Sequence, residues 1–301
     1  MKAAEHLVAT GALREHVALG PMTTYKSGGP ARYFAELSDR DDLEALIGSG
    51  LATELPMLIL GRGSNLLVSD AGFDGLVLHL VGDFQHISLT VPGVVAGGAA
   101  SLPRVARYCV EAGRTGLEFF VGVPGTVGGA VRQNAGCFGY ETKDVLESAS
   151  VVSMATGEWR SVDSVDLDHS YRHSSLTSVD LVVEASFSAV EGDDEWGKSE
   201  MRRITRWRKE HQPGGTFNAG SVFKNPPHIS AGALIDSLGL KGMAVGDVKV
   251  SARHANFFVA GLGASSFDIR VLVEAVKDRV YELSDIMLEP EIQFVGFDDG
   301  D

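Results

Sequence analysis

Residues 116–136 read GLEFFVGVPGTVGGAVRQNAG, and no other stretch restricts the fold as tightly. The apolar run Leu117, Phe119, Phe120 and Val121 leads into Gly122, Pro124, Gly125, Thr126, Gly128 and Gly129. The chain then continues through Ala130, Val131, Arg132 and Gln133 to Asn134 and Gly136. Glycines at this density allow positive φ and let backbone N–H groups come close to an anion. Thr126 is placed to cap a short helix, whose exposed N–H groups would favour phosphate oxygens. Two common phosphate signatures are absent: no Gly-Lys-Ser/Thr ends the run, and the glycine spacing is not that of a dinucleotide-binding βαβ unit. Taken alone, the stretch fits a buried packing turn as well as a ligand loop.

A second glycine loop shifts that balance. Gly61, Arg62, Gly63, Ser64 and Asn65 lie between the apolar runs Met57-Leu58-Ile59-Leu60 and Leu66-Leu67-Val68, a strand–loop–strand pattern. Ser64 and Asn65 offer side-chain hydrogen bonds beside two bare backbone positions. Two such loops read as two walls of one diphosphate site, with two unrelated turns as the alternative.

At 301 residues the chain is long enough for two or three domains. Its 44% hydrophobic and 22% charged residues are those of an ordinary globular protein. Lys and Arg number 26 against 40 Asp and Glu, for a net charge of −14. That charge repels nucleic acid and anionic lipid, so the expected partner is a small molecule, and an anionic one would need a locally basic pocket. Cys109 falls on the apolar face of a helical pattern and Cys137 beside a glycine loop; without a CxxC pair or disulfide framework, a reducing compartment is expected. The start of the chain lacks the apolar core of a signal peptide, and no run is long enough to span a bilayer. A soluble, cytoplasmic protein is the expectation.

Periodicity predicts a weak helix over 1–20 and a short strand at 33–37. A helix capped by Ser38 or Asp39 then buries Leu43, Leu46 and Ile47. Strands are predicted near 57–60, 66–69, 75–80, 85–90 and 93–97. The helix opened by Ser101 and Pro103 carries Val105, Cys109 and Ala112 on one face and stops at Gly113. Strands near 148–154 and 158–162 flank a Thr156-Gly157 turn, and another covers 180–187. Residues 191–195, EGDDE, mark a boundary. Beyond it come a basic helix over 195–211, whose arginines suit a solvated face, and a helix over 231–238 capped by Ser230. Strands near 245–250 and 255–260 follow, then a helix over 267–283 with Val271, Leu272, Ala275, Val276, Val280 and Leu283 inward. A strand over 288–297 precedes an acidic tail expected to be disordered. Short strands with few helices and no strict βαβ alternation give an α+β fold class.

Several residues could carry chemistry. Ser221 follows glycine in AGSVFKNP, outside any hydrolase elbow, and is a turn residue or a positioned proton donor. Arg172, in YRHSS, could hold a carboxylate bidentately or sit on the surface. His169 and His173 share the i, i+4 spacing of a zinc pair, but no third ligand is evident and no metal is expected. Glu289 and Glu291 flank Pro290, and alternation sends both to one side of a strand. A buried Glu can stay protonated and donate.

Seven stretches carry a resemblance: TTYKSGGPARYF, LGRGSNLLVSDAGFDGLVL, the 116–136 run, YRHSSL, AGSVFKNP, AGALIDSLGLKG with VGDVKVSARHANFFV, and LEPEIQFVG. Spread over about 23–295, they resemble the UDP-N-acetylenolpyruvoylglucosamine reductases, also called UDP-N-acetylmuramate dehydrogenases, in their shorter subtype. The resemblance implies FAD in a fold of the vanillyl-alcohol-oxidase type over 1–192, in subdomains of about 1–80 and 81–192. It also implies a substrate-binding α+β domain over 193–301. Gly61, Gly63, Ser64, Asn65 and Leu66, with Gly122, Pro124, Gly125, Thr126, Gly128, Gly129, Asn134 and Gly136, match the FAD loops. Arg172, Ser221 and Glu291 match the catalytic positions; Tyr171, Lys224 and Asn225 match substrate-binding ones. NADPH would reduce the flavin, which reduces the enolpyruvyl ether of UDP-N-acetylglucosamine; a monomer is expected. Arg62 stands where a small residue is common, and Gln293 where arginine is frequent. Two readings stand beside it: another flavin oxidase of the same fold, and a non-catalytic flavin or UDP-sugar binding protein.

Overall fold

The computed structural model describes residues 2–297, so the acidic tail lies outside the described residues. Two compact units draw on distant parts of the chain. One takes in 2–15, Tyr33–Gly61 and Gly75–Trp207; the other takes in His16–Arg32, Arg62–Asp74 and 208–297. A four-stranded sheet has the order Arg14–Ala18, Pro30–Leu37, Phe73–Leu80, Met57–Ile59.

The first unit is built on a five-stranded antiparallel sheet in the order Trp159–Asp163, Leu146–Ser153, Asp180–Ser188, Gly93–Gly97, Ile87–Leu89. The helix Leu102–Glu111 buries Leu102, Val105, Ala106, Cys109 and Val110, one stripe at helical spacing. Gly113, at φ +70°, follows its end, as the sequence predicts. Burial, with the Glu118 charge adding to it, pushes the Cys109 thiol up to about 12, so this cysteine is inert packing. Asp39 caps the helix Arg40–Gly48 by accepting from Asp42 N–H at 3.0 Å. One expectation fails here. The helix over 1–20 stops at Thr10, Gly11 takes φ +81°, and Arg14–Ala18 becomes a strand. Ladder bonds in the sheet override a weak helical preference over these five residues.

Asp180, at the start of its strand, has a side chain only 6% exposed. Burial alone would raise its pKa, but hydrogen bonds from Thr177 Oγ1 (2.7 Å), Thr177 N–H (2.8 Å) and Arg160 (2.7 Å) outweigh it and hold the carboxyl below the usual range. A depressed folded pKa means the stabilisation is complete above the unfolded value of about 4 and is lost as pH falls through the folded one. Asp180→Asn should therefore lower stability at pH 7 by about 1.5–3 kcal/mol, a gap that narrows under acid. Urea melts at neutral and acid pH check this, and a gap independent of pH would contradict it.

The second unit has a three-stranded antiparallel sheet, Ala244–Val245, Val248–Val250 and Phe258–Ala260. Its helices are Ala231–Ser237, capped by Ser230, and Ser266–Ser284, capped by Ser265. Phe223 and Phe258 meet edge to face at 5.9 Å in its core. On the long helix Ile269, Leu272, Val273, Val276 and Val280 are buried. Leu283, expected inward, is 46% exposed because it lies in the last turn, beside the left-handed Asp285 that ends the helix. The strand expected over 288–297 forms only at Gln293–Val295, parallel to Leu66–Val68. Before it, Pro290 makes a single bridge to Phe223, since proline has no N–H for a ladder.

Candidate active site

In the first unit the strand Met57–Ile59 leads through Leu60 to Gly61, where a Cβ would stand 2.8 Å from Thr126 Oγ1. Only glycine lets the two loops meet there. Thr126 caps Val127–Gln133 by accepting from Gly129 N–H, and its loop is pinned by Leu102 N–H to Gly125 O, Val127 N–H to Ala100 O and Gly128 N–H to Gly98 O. Gly128 is packed, its Cβ position 3.2 Å from Gly98 O, and Gly122 is buried. Gly125 has no atom closer than 3.8 Å to its Cβ position, and Pro124 and Gly129 are exposed. The loop thus has one packed side and one open side.

Gly63 belongs to the second unit and holds φ +59°, with its Cβ position 2.5 Å from Met22 O. Its carbonyl accepts from Thr24 N–H at 3.1 Å and from the Thr24 hydroxyl at 3.3 Å. Among the described residues, the N–H groups of Arg62, Gly63, Ser64 and Asn65 donate to no protein acceptor. A run of unused amides next to a left-handed glycine is an anion cradle, and it suits a cofactor diphosphate. Leu66 is buried in the strand that follows.

The segment carrying Ser221 is fixed from both sides. Asn256, 3% exposed, accepts Phe223 N–H at its Oδ1 (2.9 Å), donates from Nδ2 to Phe223 O (2.8 Å), and takes Val222 N–H on its carbonyl (2.8 Å). Opposite, Glu291 N–H donates to Val222 O at 2.7 Å and Lys224 N–H to Glu289 O at 2.9 Å, while Asn65 Nδ2 donates to Glu291 O at 3.0 Å. Ser221 and Glu291 are thereby brought onto adjacent, hydrogen-bonded backbones. The Ser221 hydroxyl makes no hydrogen bond to protein among the described residues. Lys224 Nζ pairs with Glu289 at 3.3 Å, and Asn225 Oδ1 accepts Ala231 N–H at 3.0 Å at the start of a helix. Asn256 escaped the sequence reading. Its one signal is a polar side chain inside the apolar run Ala255-Asn256-Phe257-Phe258. Burial, reinforced by the Lys241 charge, holds His254 below the usual histidine range, and its neutral Nδ1 accepts Asn256 N–H at 3.3 Å.

Arg172 belongs to the first unit. It adopts φ +54°, unusual for a non-glycine residue, and its side chain is 18% exposed. Its Nη1 donates to Asn134 O and its Nη2 to Gly136 O, both at 3.4 Å; Glu141 Oε1 lies 3.9 Å away and the Tyr171 ring 4.9 Å away. Asn134 is fully buried and left-handed. Its Nδ2 donates to Glu141 Oε2 (3.0 Å) and Ser170 O (2.9 Å), and its Oδ1 accepts Lys143 N–H (3.0 Å). Glu141 too was missed, because nothing local distinguishes it from a surface acid.

Comparison with known proteins decides what such a site belongs to. A family profile described as an FAD binding domain matches residues 31–163. A second, described as UDP-N-acetylenolpyruvoylglucosamine reductase, C-terminal domain, matches 212–295. The UDP-N-acetylenolpyruvoylglucosamine reductase of Erythrobacter litoralis is 41% identical over 287 residues, covering 95% of this chain and 88% of its own. The chain belongs to that reductase family. A Synechococcus reductase of the same name is 40% identical over 301 residues, covering 97% and 96%. The crystal structure of the reductase from Thermus caldophilus superposes with a TM-score of 0.81 at 36% identity, covering 94% of this chain and 99% of that one. The α+β class and the FAD-binding fold expected from the sequence are thus correct, and the cofactors of the family are FAD and NADPH. Among the described residues no helix is long and apolar enough to cross a membrane.

Proposed function

We propose that Arg172, Ser221 and Glu291 are the catalytic residues of an enolpyruvyl reduction. The chain is an oxidoreductase, a UDP-N-acetylmuramate dehydrogenase of peptidoglycan precursor synthesis. It converts the enolpyruvyl ether of UDP-N-acetylglucosamine to the lactyl ether of UDP-N-acetylmuramate. The observation that carries the residue assignment is the pairing of 222–224 with 289–291, which sets a hydroxyl with no protein partner among the described residues beside a carboxyl-bearing segment.

Bound FAD supplies the hydride, renewed by NADPH. The amides of 62–65 would hold its diphosphate, the open side of the 122–129 loop would offer it a further backbone surface, and Gly61, Leu66, Asn134 and Gly136 would shape the surrounding backbone. Saturating the double bond adds a hydride at C3 and a proton at C2, and negative charge builds toward the carboxylate in between. Arg172 binds that carboxylate, and Glu291 in its protonated form donates to the same developing charge, where preorganised donors act most strongly. Ser221 Oγ delivers the proton to C2. Lys224 and Asn225 hold the nucleotide diphosphate end of the substrate, and Tyr171 also binds the substrate. Residues 1–192 serve the flavin and 193–301 the substrate, in a cytoplasmic monomer.

The test is spectroscopic. Under anaerobic conditions NADPH should bleach the flavin band of the purified protein, and the UDP-enolpyruvyl sugar should restore it. Restoration by oxygen alone would favour a flavin oxidase of the same fold. Stabilisation by ligands without turnover would favour a binding protein.

A further inference from the structure

We propose that Glu141 is a positioning residue for Arg172. The inference rests on the assignment of Arg172 to the substrate carboxylate and adds what holds that guanidinium in place. Gly136 and Glu141 face each other across the short hairpin formed by Gly136–Cys137 and Tyr140–Glu141. The pairing admits only glycine at 136, since a Cβ there would stand 2.3 Å from Tyr140 O and 3.0 Å from Glu141 Cγ. One face of this hairpin therefore presents to Arg172 both the Gly136 carbonyl (3.4 Å) and the Glu141 carboxylate (3.9 Å). A further contact, Asn134 O, comes from a residue whose buried side chain is itself held by Glu141 at 3.0 Å.

The carboxylate's charge exceeds what local folding requires. The Asn134 amide needs an acceptor from residue 141, and the turn 142–144 needs a cap, which the side chain of Glu141 supplies. A neutral glutamine oxygen would keep the Asn134 bond. What glutamine would lose is the negative charge, and that charge faces Lys143 Nζ at 3.1 Å and Arg172. Arg172 is held at positive φ on an exposed polar turn, where the backbone alone does not set the direction of so long a side chain. The two carbonyls lie at 3.4 Å, the long end of hydrogen bonding, and an anion beside them biases the fork toward one orientation. A misaligned fork costs rate steeply when it must meet a planar carboxylate.

The test is a double-mutant cycle on FAD-loaded enzyme, with Glu141→Gln, Arg172→Ala and the double variant. Single-turnover flavin reoxidation by the UDP-enolpyruvyl sugar, flavin reduction by NADPH, and calorimetric affinity of the oxidised enzyme for the sugar are read for each. Glu141→Gln should slow reoxidation about tenfold to a hundredfold and weaken sugar binding, with flavin reduction within about twofold. Neither effect should appear once Arg172 is alanine. Equal slowing in both backgrounds would overturn the positioning role while leaving Arg172 catalytic. Full-rate reoxidation in Arg172→Ala would remove the catalytic assignment, and the positioning role with it. Should Glu141→Gln fail to retain FAD, Glu141→Asp keeps the charge on a shorter arm. Its loss should be less than about tenfold and vanish in the Arg172→Ala background; a loss that persists there would overturn the proposal.

Discussion

Replacing Ser221 with alanine should leave NADPH-driven bleaching of the flavin at its normal rate while lowering product formation by about 10²–10⁴-fold, the range a positioned proton donor contributes. The split follows from where the hydroxyl sits. Among the described residues it has no protein partner to lose, and the backbone around it is fixed by Asn256 on one side and Glu291 on the other. Gly220, at φ +78°, supplies the turn before it. Deleting one oxygen disturbs none of these, so folding and FAD content should match the wild type. Rapid-mixing absorbance with each reactant in turn gives the measurement. Ordinary turnover in the variant would take Ser221 out of the reaction, and equal slowing of both half-reactions would mark a structural role instead.

The second large effect concerns the glycine loops, where alanine should weaken FAD retention in both but destabilise the fold in only one. Gly63→Ala forces a side chain into a left-handed residue, at a cost of roughly 1–2 kcal/mol. It also sets a methyl 2.5 Å from Met22 O and 2.8 Å from Thr23 Cα, both backbone atoms that cannot rotate aside. Together these should lower stability by more than about 2 kcal/mol and strip FAD from the protein on gel filtration. Gly125→Ala meets nothing nearer than 3.8 Å, so the apoprotein should melt as the wild type does. Its methyl would project into the open side of the loop and weaken FAD retention. The flavin-to-protein ratio reads the loss of FAD in each, and the apoprotein melting temperature separates the two cases. A Gly125→Ala protein that holds FAD as firmly as the wild type would show that this loop is not a cofactor wall.

Much of the molecule was legible locally because its signals are short-ranged. Ser230 caps the helix Ala231–Ser237 and Thr126 caps Val127–Gln133, each through a contact to a residue three positions on. The stripe from Leu102 to Val110 needed only its own periodicity. The glycines at 61 and 63 announced close backbone approach, though not what approaches. At Gly61 it is Thr126 and at Gly63 it is Met22, partners separated from them by long stretches of chain.

The catalytic assignments came from motif resemblance, and their support could not have come from the sequence. Asn256 binds Phe223 across 33 residues, and Asn65 reaches Glu291 across 226. Glu141 approaches Arg172 only because a hairpin closes at Gly136. Such pairings leave no trace in local propensity, since the residues involved are ordinary polar side chains until folding makes them neighbours.

By itself, then, the order of residues determined the α+β class, most helix starts, the two glycine turns and the types of side chain available for chemistry. Folding alone decided that Arg14–Ala18 would be a strand, that the run before Phe297 would form a strand only over Gln293–Val295, and which polar groups hold the reactive ones. Caps and stripes depend on atoms a few residues apart, whereas strand partners and buried hydrogen bonds are chosen by the desolvation cost of leaving a distant group unpaired.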